Sequence, residues 1–117
     1  MIRERLGKEL LYFDGGMGTY YSQKNHALGT GCELAGISQP DLIEEIHREY
    51  LEAGCRALKT NTFGANRISF QGDEELVRKT VRAAWKAATK AALDYDAFVF
   101  ADIGPISDLS GESDVFE

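Results

Sequence analysis

Three short clusters in this sequence hold residue types able to bind a small polar ligand: Asp14-Gly15-Gly16-Met17-Gly18-Thr19, Thr60-Asn61-Thr62 and Asp102-Ile103-Gly104-Pro105. A carboxylate such as Asp14 grips an ammonium group through charge-assisted hydrogen bonds, and neighbouring glycines let a ligand approach the backbone closely. An amino-acid ligand suits that pairing. Aspartate, asparagine and glycine are also ordinary turn formers, so the argument rests on the clusters converging. Phosphate is the other chemistry to weigh. Gly16-Met17-Gly18 supplies two glycines of a dinucleotide fingerprint, but Tyr21 stands where the third belongs, and no Gly-Lys-Ser/Thr follows to make a P-loop. A phosphate-binding α/β domain using Gly15 to Gly18 stays open as an alternative.

The remaining reactive side chains point to less. His47 is followed by Arg48 and has no second histidine at ligand spacing, so it reads as a packed or solvated helix-face residue. His26 falls in a loop without a nameable partner. Cys55 adjoins a strand start and reads as a small buried hydrophobe. Cys32 reads as a loop thiol open to solvent, with nothing nearby to activate it. Two cysteines make neither a disulfide framework nor the paired spacing of a zinc site. Trp85 lies on a helical stripe and reads as core.

The elements that must position the clusters alternate. Leu10-Leu11-Tyr12-Phe13 reads as a short buried strand ended by Asp14 and glycines, and Gly15 to Gly36 as mostly loop. A helix opens at Ser38-Gln39-Pro40-Asp41, with Ser38 as cap, Pro40 in the first turn and acidic residues at the positive dipole end. Leu42, Ile43, Ile46, Tyr50 and Leu51 form its apolar stripe, and Gly54 follows its C-cap. Arg56 to Thr60 reads as a strand, Asn61 to Gly72 as a loop with a helical turn, and Glu74 to Leu93 as a long helix. The stripe of that helix is Leu76, Val77, Val81, Ala84, Trp85, Ala88 and Ala92. Ala97 to Ala101 is an apolar strand, and Ser107 to Glu117 an acidic irregular tail. Strands alternating with helices imply parallel βαβ units with right-handed crossovers. Parallel strands set their C-terminal ends along one edge, where α/β proteins build sites. All three clusters fall there.

Composition sets the outer bounds. A length of 117 residues with 44% hydrophobic and 27% charged residues fits one globular domain. Thirteen Lys+Arg against 19 Asp+Glu leave a net charge of −6, which argues against nucleic acid as a partner. No run approaches the ~18 apolar residues of a membrane span. The first residues are too charged for a signal peptide. The expectation is a cytoplasmic, reduced chain.

These residues also carry a specific resemblance. Leu11 to Thr19 is similar to the opening strand of the homocysteine S-methyltransferase family. Glu45-Ile46-His47-Arg48-Glu49-Tyr50-Leu51-Glu52-Ala53-Gly54 and Lys59-Thr60-Asn61-Thr62-Phe63-Gly64-Ala65-Asn66 resemble its next unit, and Ile103-Gly104-Pro105 the end of its third strand. Within the family, the pattern looks most like the homocysteine-binding domain of the cobalamin-dependent members.

The resemblance implies a (β/α)₈ TIM-type barrel that binds homocysteine at the strand C-termini. In the family, zinc held by three cysteines activates the thiol as thiolate, which attacks a methyl donor to give methionine. Carried over, Asp14 would bind the substrate ammonium, Gly15 and Gly16 would give backbone contacts, and Thr60, Asn61 and Thr62 would line the pocket. A full barrel needs ~250 residues, so the expected architecture is its first three βα units over residues 1–106, with the tail 107–117. The family's zinc cysteines fall in later units, so neither catalytic nor metal residues are assigned here, and the expectation is a chain inactive alone. Cobalamin and folate belong to full-length relatives. The alternative from another class is a non-catalytic scaffold or barrel half that associates with another chain. Expected partners are homocysteine and either a second copy or the remainder of the barrel.

Overall fold

A computed structural model describes residues 1–25 and 31–106 of the chain. His26 and the tail 107–117 lie outside the described residues. Helix α1 (Ile2–Arg5) and helix α2 (Gly18–Asn25) precede a 3-10 turn over Cys32–Leu34 and helix α3 (Ala35–Ser38). Helix α4 (Pro40–Glu52), strand β1 (Ala57–Lys59), helix α5 (Glu74–Leu93) and strand β2 (Phe98–Phe100) complete the order.

Helix α4 begins at Pro40, whose missing N–H costs nothing in a first turn. Gln39, not Ser38, precedes it, and the Ser38 hydroxyl instead donates to the Leu34 carbonyl from the end of α3. Ile43, Ile46 and Leu51 of the expected stripe are buried. Gly54 takes φ +115°, a left-handed turn that a side chain would resist, and this turn releases the chain into β1. Helix α5 spans the expected residues. Asp73 caps it by accepting from the Leu76 N–H at 3.0 Å, and Glu74 and Glu75 sit at its positive end.

Strands β1 and β2 pair in parallel, with Ala57 opposite Phe98, Leu58 opposite Val99 and Lys59 opposite Phe100. Leu51, Cys55, Leu58, Ala91 and Ala92 form one core cluster, with Val99 packed on it. Leu58 therefore meets both long helices on one side of the sheet. Ala35, Ile43, Ile46 and Ala87 form a second cluster, covered by Met17, Tyr20 and Tyr21. Truncating Ile46, which has no exposed surface, to Ala would cost roughly 2–5 kcal/mol.

Besides the cap at Ser38, four expectations are corrected. Residues 10–13 form no strand: a single parallel bridge joins Phe13 to Ala57, and Leu10 is 81% exposed. The segment runs in the expected direction beside β1, with Arg56 N–H donating to the Tyr12 carbonyl at 3.0 Å and Asp14 N–H to the Ala57 carbonyl at 3.0 Å. It lacks a second neighbour among the described residues, so its ladder ends at one rung. The described residues of the stretch Gly15 to Gly36 are largely helical rather than loop, in Gly18–Asn25, Cys32–Leu34 and the start of Ala35–Ser38. Helix α2 reads Gly-Thr-Tyr-Tyr-Ser-Gln-Lys-Asn, without an apolar period, and is held from outside: Tyr20 and Lys24 both bond Glu49 of α4. Trp85 is no core residue but 51% exposed, and Val81 is exposed beside it. The buried residues of α5 are Thr80, Ala84, Ala87, Ala88, Ala91 and Ala92, so Ala84, Ala88 and Ala92 of the expected stripe are buried and the helix turns small side chains to the core. Cys32 is buried, as the next section describes. The short helix α1, which gave no periodic signal, places Arg5 5.0 Å over the Phe98 ring. No helix among the described residues is long and apolar enough to cross a membrane.

Candidate functional site

The three clusters meet. Asp14, Gly15, Gly16, Thr60, Asn61 and Thr62, all six sequence-derived binding residues, line one open cavity of about 270 Å³ at the C-terminal ends of the strands. Cys32, Glu33, Lys59 and Asp102 complete the polar wall. Lys59 adjoins the threonine cluster in sequence and could have been inferred from it. Cys32 and Glu33 carry no local sequence signal that joins them to the other clusters.

Asp14 sits at the centre. It is 8% exposed, and its Oδ2 accepts the Lys59 backbone N–H at 3.2 Å. Its Oδ1 is buried without a hydrogen-bond partner among the described residues. Burial pushes the carboxyl above its ordinary range, opposed by the Lys59 N–H bond and the Lys59 ammonium. A buried carboxylate oxygen with no donor is costly unless something supplies one. A cationic ligand would.

The glycine loop is fixed from behind. Tyr50 of α4 donates its hydroxyl to the Gly16 carbonyl at 2.6 Å. A Cβ on Gly15 would lie 2.9 Å from the Tyr50 ring, so glycine here permits a close approach. At the other wall the threonines close a hydrogen-bonded ring. Asp102 N–H donates to Thr60 Oγ1 at 3.1 Å, and Thr62 Oγ1 donates to the Asp102 carbonyl at 2.6 Å. The 2.7 Å bond between the hydroxyls must then be donated by Thr60, because the single Thr62 proton is already used. This ring ties the end of β1 to the end of β2. Asn61 turns the other way. Its amide donates to the Cys32 carbonyl at 2.7 Å, and the Cys32 thiol lies 3.4 Å from its Oδ1. Gly64 N–H donates to Glu33 Oε1 at 3.0 Å, which fixes the next residue of that turn.

A family model described as homocysteine S-methyltransferase matches residues 11–115. The chain belongs to the homocysteine S-methyltransferase family. Among curated relatives, the methionine synthase of Mycobacterium leprae (strain TN) is 34% identical over 118 residues, covering 89% of this chain and 10% of that protein. The methionine synthase of Mycobacterium tuberculosis (strain ATCC 25618 / H37Rv) is 33% identical over 114 residues, covering 86% and 10%. The chain thus spans about a tenth of the length of these relatives. Among solved structures, the metallated form of the homocysteine methyltransferase MmuM from Escherichia coli superposes with a TM-score of 0.71 at 21% identity, covering 89% of this chain and 41% of that one. Its oxidized form gives 0.67 at 22% identity, covering 89% and 40%. At that identity the likeness shows the fold alone, and this family member carries the α/β arrangement of those chains.

The zinc chemistry that the family resemblance implies does not fit the thiols described here. Cys55 is packed in the core with Leu51 and Leu58. Cys32 lines the cavity as its one cysteine among the described residues, short of the three thiolates that the resemblance implies. Among the described residues no three His, Cys, Asp or Glu side chains gather as a metal site.

Proposed function

We propose that this chain supplies the substrate-gripping wall of a homocysteine S-methyltransferase, as the first three βα units of a (β/α)₈ barrel. Asp14 holds the homocysteine ammonium, Gly15 and Gly16 let the ligand lie against the backbone, and Thr60, Asn61 and Thr62 shape the wall. The observation that carries this reading is Asp14 Oδ1, buried and without a hydrogen-bond partner among the described residues, beside a cavity in a family whose substrate is homocysteine. Its acidic lining, Asp14, Glu33 and Asp102 against Lys59, favours a cation over the phosphate alternative.

In this reading the described residues bind and orient the ligand, and the zinc ligands that the resemblance implies for activating the thiol belong to later units of the barrel. Methyl transfer therefore needs groups beyond this wall. The face of β2 away from Leu58, with Phe98 and Phe100 half-buried, is where further barrel strands would pack, from the same protein or another chain. Titration calorimetry with L-homocysteine tests the reading. Asp14→Asn should weaken binding about tenfold or more, by the loss of a charge-assisted hydrogen bond at 1.4 kcal/mol per decade. Equal affinity in both forms would remove Asp14 from the site. Metal analysis and a methionine-formation assay on the same protein should find neither stoichiometric zinc nor turnover; zinc with turnover would overturn the division of labour.

A further inference from the structure

Among the described residues, Lys59 is the one cation of the cavity wall, and it stands beside Asp14. Its ammonium lies 3.9 Å from Asp14 Oδ1, beyond the ~3.2 Å limit of an ordinary N–H···O bond. Asp14 Oδ1 has no hydrogen-bond partner among the described residues. The Asp14 side chain is 3% exposed and that of Lys59 40%, so a buried anion has a cation at its mouth. Two opposite charges, adjacent but not joined, match an α-amino acid, whose ammonium and carboxylate share one carbon.

We propose that Lys59 is a specificity-determining residue that takes the carboxylate of the amino-acid ligand whose ammonium Asp14 holds. The proposal rests on the homocysteine reading above and adds a second contact to it. Other side chains of the wall are poorly suited to that role. The Thr60 and Thr62 hydroxyl protons are already committed, Asn61 turns its amide to Cys32, and Glu33 and Asp102 repel an anion. Lys59 extends from the last position of β1, where its backbone N–H also anchors Asp14, so one residue orients the anion and supplies the cation. A lysine that only screened Asp14 would instead lower affinity for every ammonium ligand.

The test compares L-homocysteine with 3-aminopropane-1-thiol, the same molecule without its carboxylate. Both are titrated calorimetrically into the wild-type chain, Lys59→Met and Asp14→Asn, with circular dichroism to verify folding. Lys59→Met should weaken homocysteine about tenfold while 3-aminopropane-1-thiol binds as well or better, and Asp14→Asn should weaken both. Lys59→Met tightening both ligands would make Lys59 a screen, and weakening both equally would make it a scaffold; either overturns the proposal. Homocysteine unchanged in Lys59→Met but weakened in Asp14→Asn would remove the proposal and leave the homocysteine reading standing. A wild-type chain that binds neither ligand would end both.

Discussion

Asn61 and Cys32 are clasped at two points: the Asn61 amide donates to the Cys32 carbonyl at 2.7 Å, and the Cys32 thiol meets Asn61 Oδ1 at 3.4 Å. Both residues are buried, so the clasp fastens the turn after α2 to the end of β1. Asn61→Ala would leave the Cys32 carbonyl without its donor and should lower stability by about 1–3 kcal/mol. Cys32→Ala keeps that carbonyl bond and loses only a weak thiol contact, so its effect should be smaller. Urea unfolding of both variants checks the order, and an equal loss would mean that packing, not the amide, holds the turn.

Gly104 abuts the Phe63 backbone so closely that a Cβ would fall 2.3 Å from the Phe63 carbonyl oxygen. Backbone cannot swing aside as a side-chain tip can. Gly104→Ala should therefore destabilise by roughly 1–3 kcal/mol, while Gly16→Ala, with no atom within 4 Å of its Cβ position, should fall much closer to wild type. Thermal melts of the two variants give the comparison.

His47 has no exposed surface, and neither ring nitrogen has a hydrogen-bond partner among the described residues. Burial pushes its pKa down from 6.5 to about 4, against a smaller opposing pull from Glu44. The unfolded chain then binds the proton more readily, so stability is full above pH 6.5 and falls as pH drops toward 4. The loss over that window is about 3 kcal/mol, at 1.36 kcal/mol per pKa unit. Asp14, whose carboxyl is raised by burial, works in the opposite direction. His47→Leu should flatten the acid limb of a stability-against-pH profile. An unchanged limb would assign acid sensitivity to the carboxylates.

The outer side of β2 and α5 leaves Trp85, Leu93 and Ile103 exposed at 51%, 82% and 87%. Apolar surface of this kind recruits a partner, so the chain should self-associate at micromolar concentration in sedimentation velocity. Trp85→Glu with Leu93→Glu should shift it toward monomer. A wild-type monomer throughout would show that this face tolerates water.

The convergence of the candidate residues on one cavity was legible because they end runs lying in parallel: Asp14 and Asp102 follow apolar stretches, and Thr60 follows β1. Helix α5 was legible to the residue, since Asp73, Glu74 and a long alanine-rich period mark it without tertiary help. What could not be read depends on contacts distant in sequence. Helix α2 has no apolar stripe and owes its place to Glu49 and the tyrosines. Cys32 is held at the cavity by Asn61, 29 residues away in sequence, with Glu33 beside it bonded to Gly64. Trp85 fits a helical stripe by spacing, yet alanines took the buried line, because close helix approach rewards small side chains over large ones.

The ring formed by Thr60, Thr62 and Asp102 has one further effect on what the cavity accepts. Every proton in it is committed, in a single sense of rotation, so each threonine oxygen retains only lone pairs. That side of the cavity acts as an acceptor filter. It welcomes ligand N–H and S–H groups, and it offers an incoming oxyanion no hydrogen to bind.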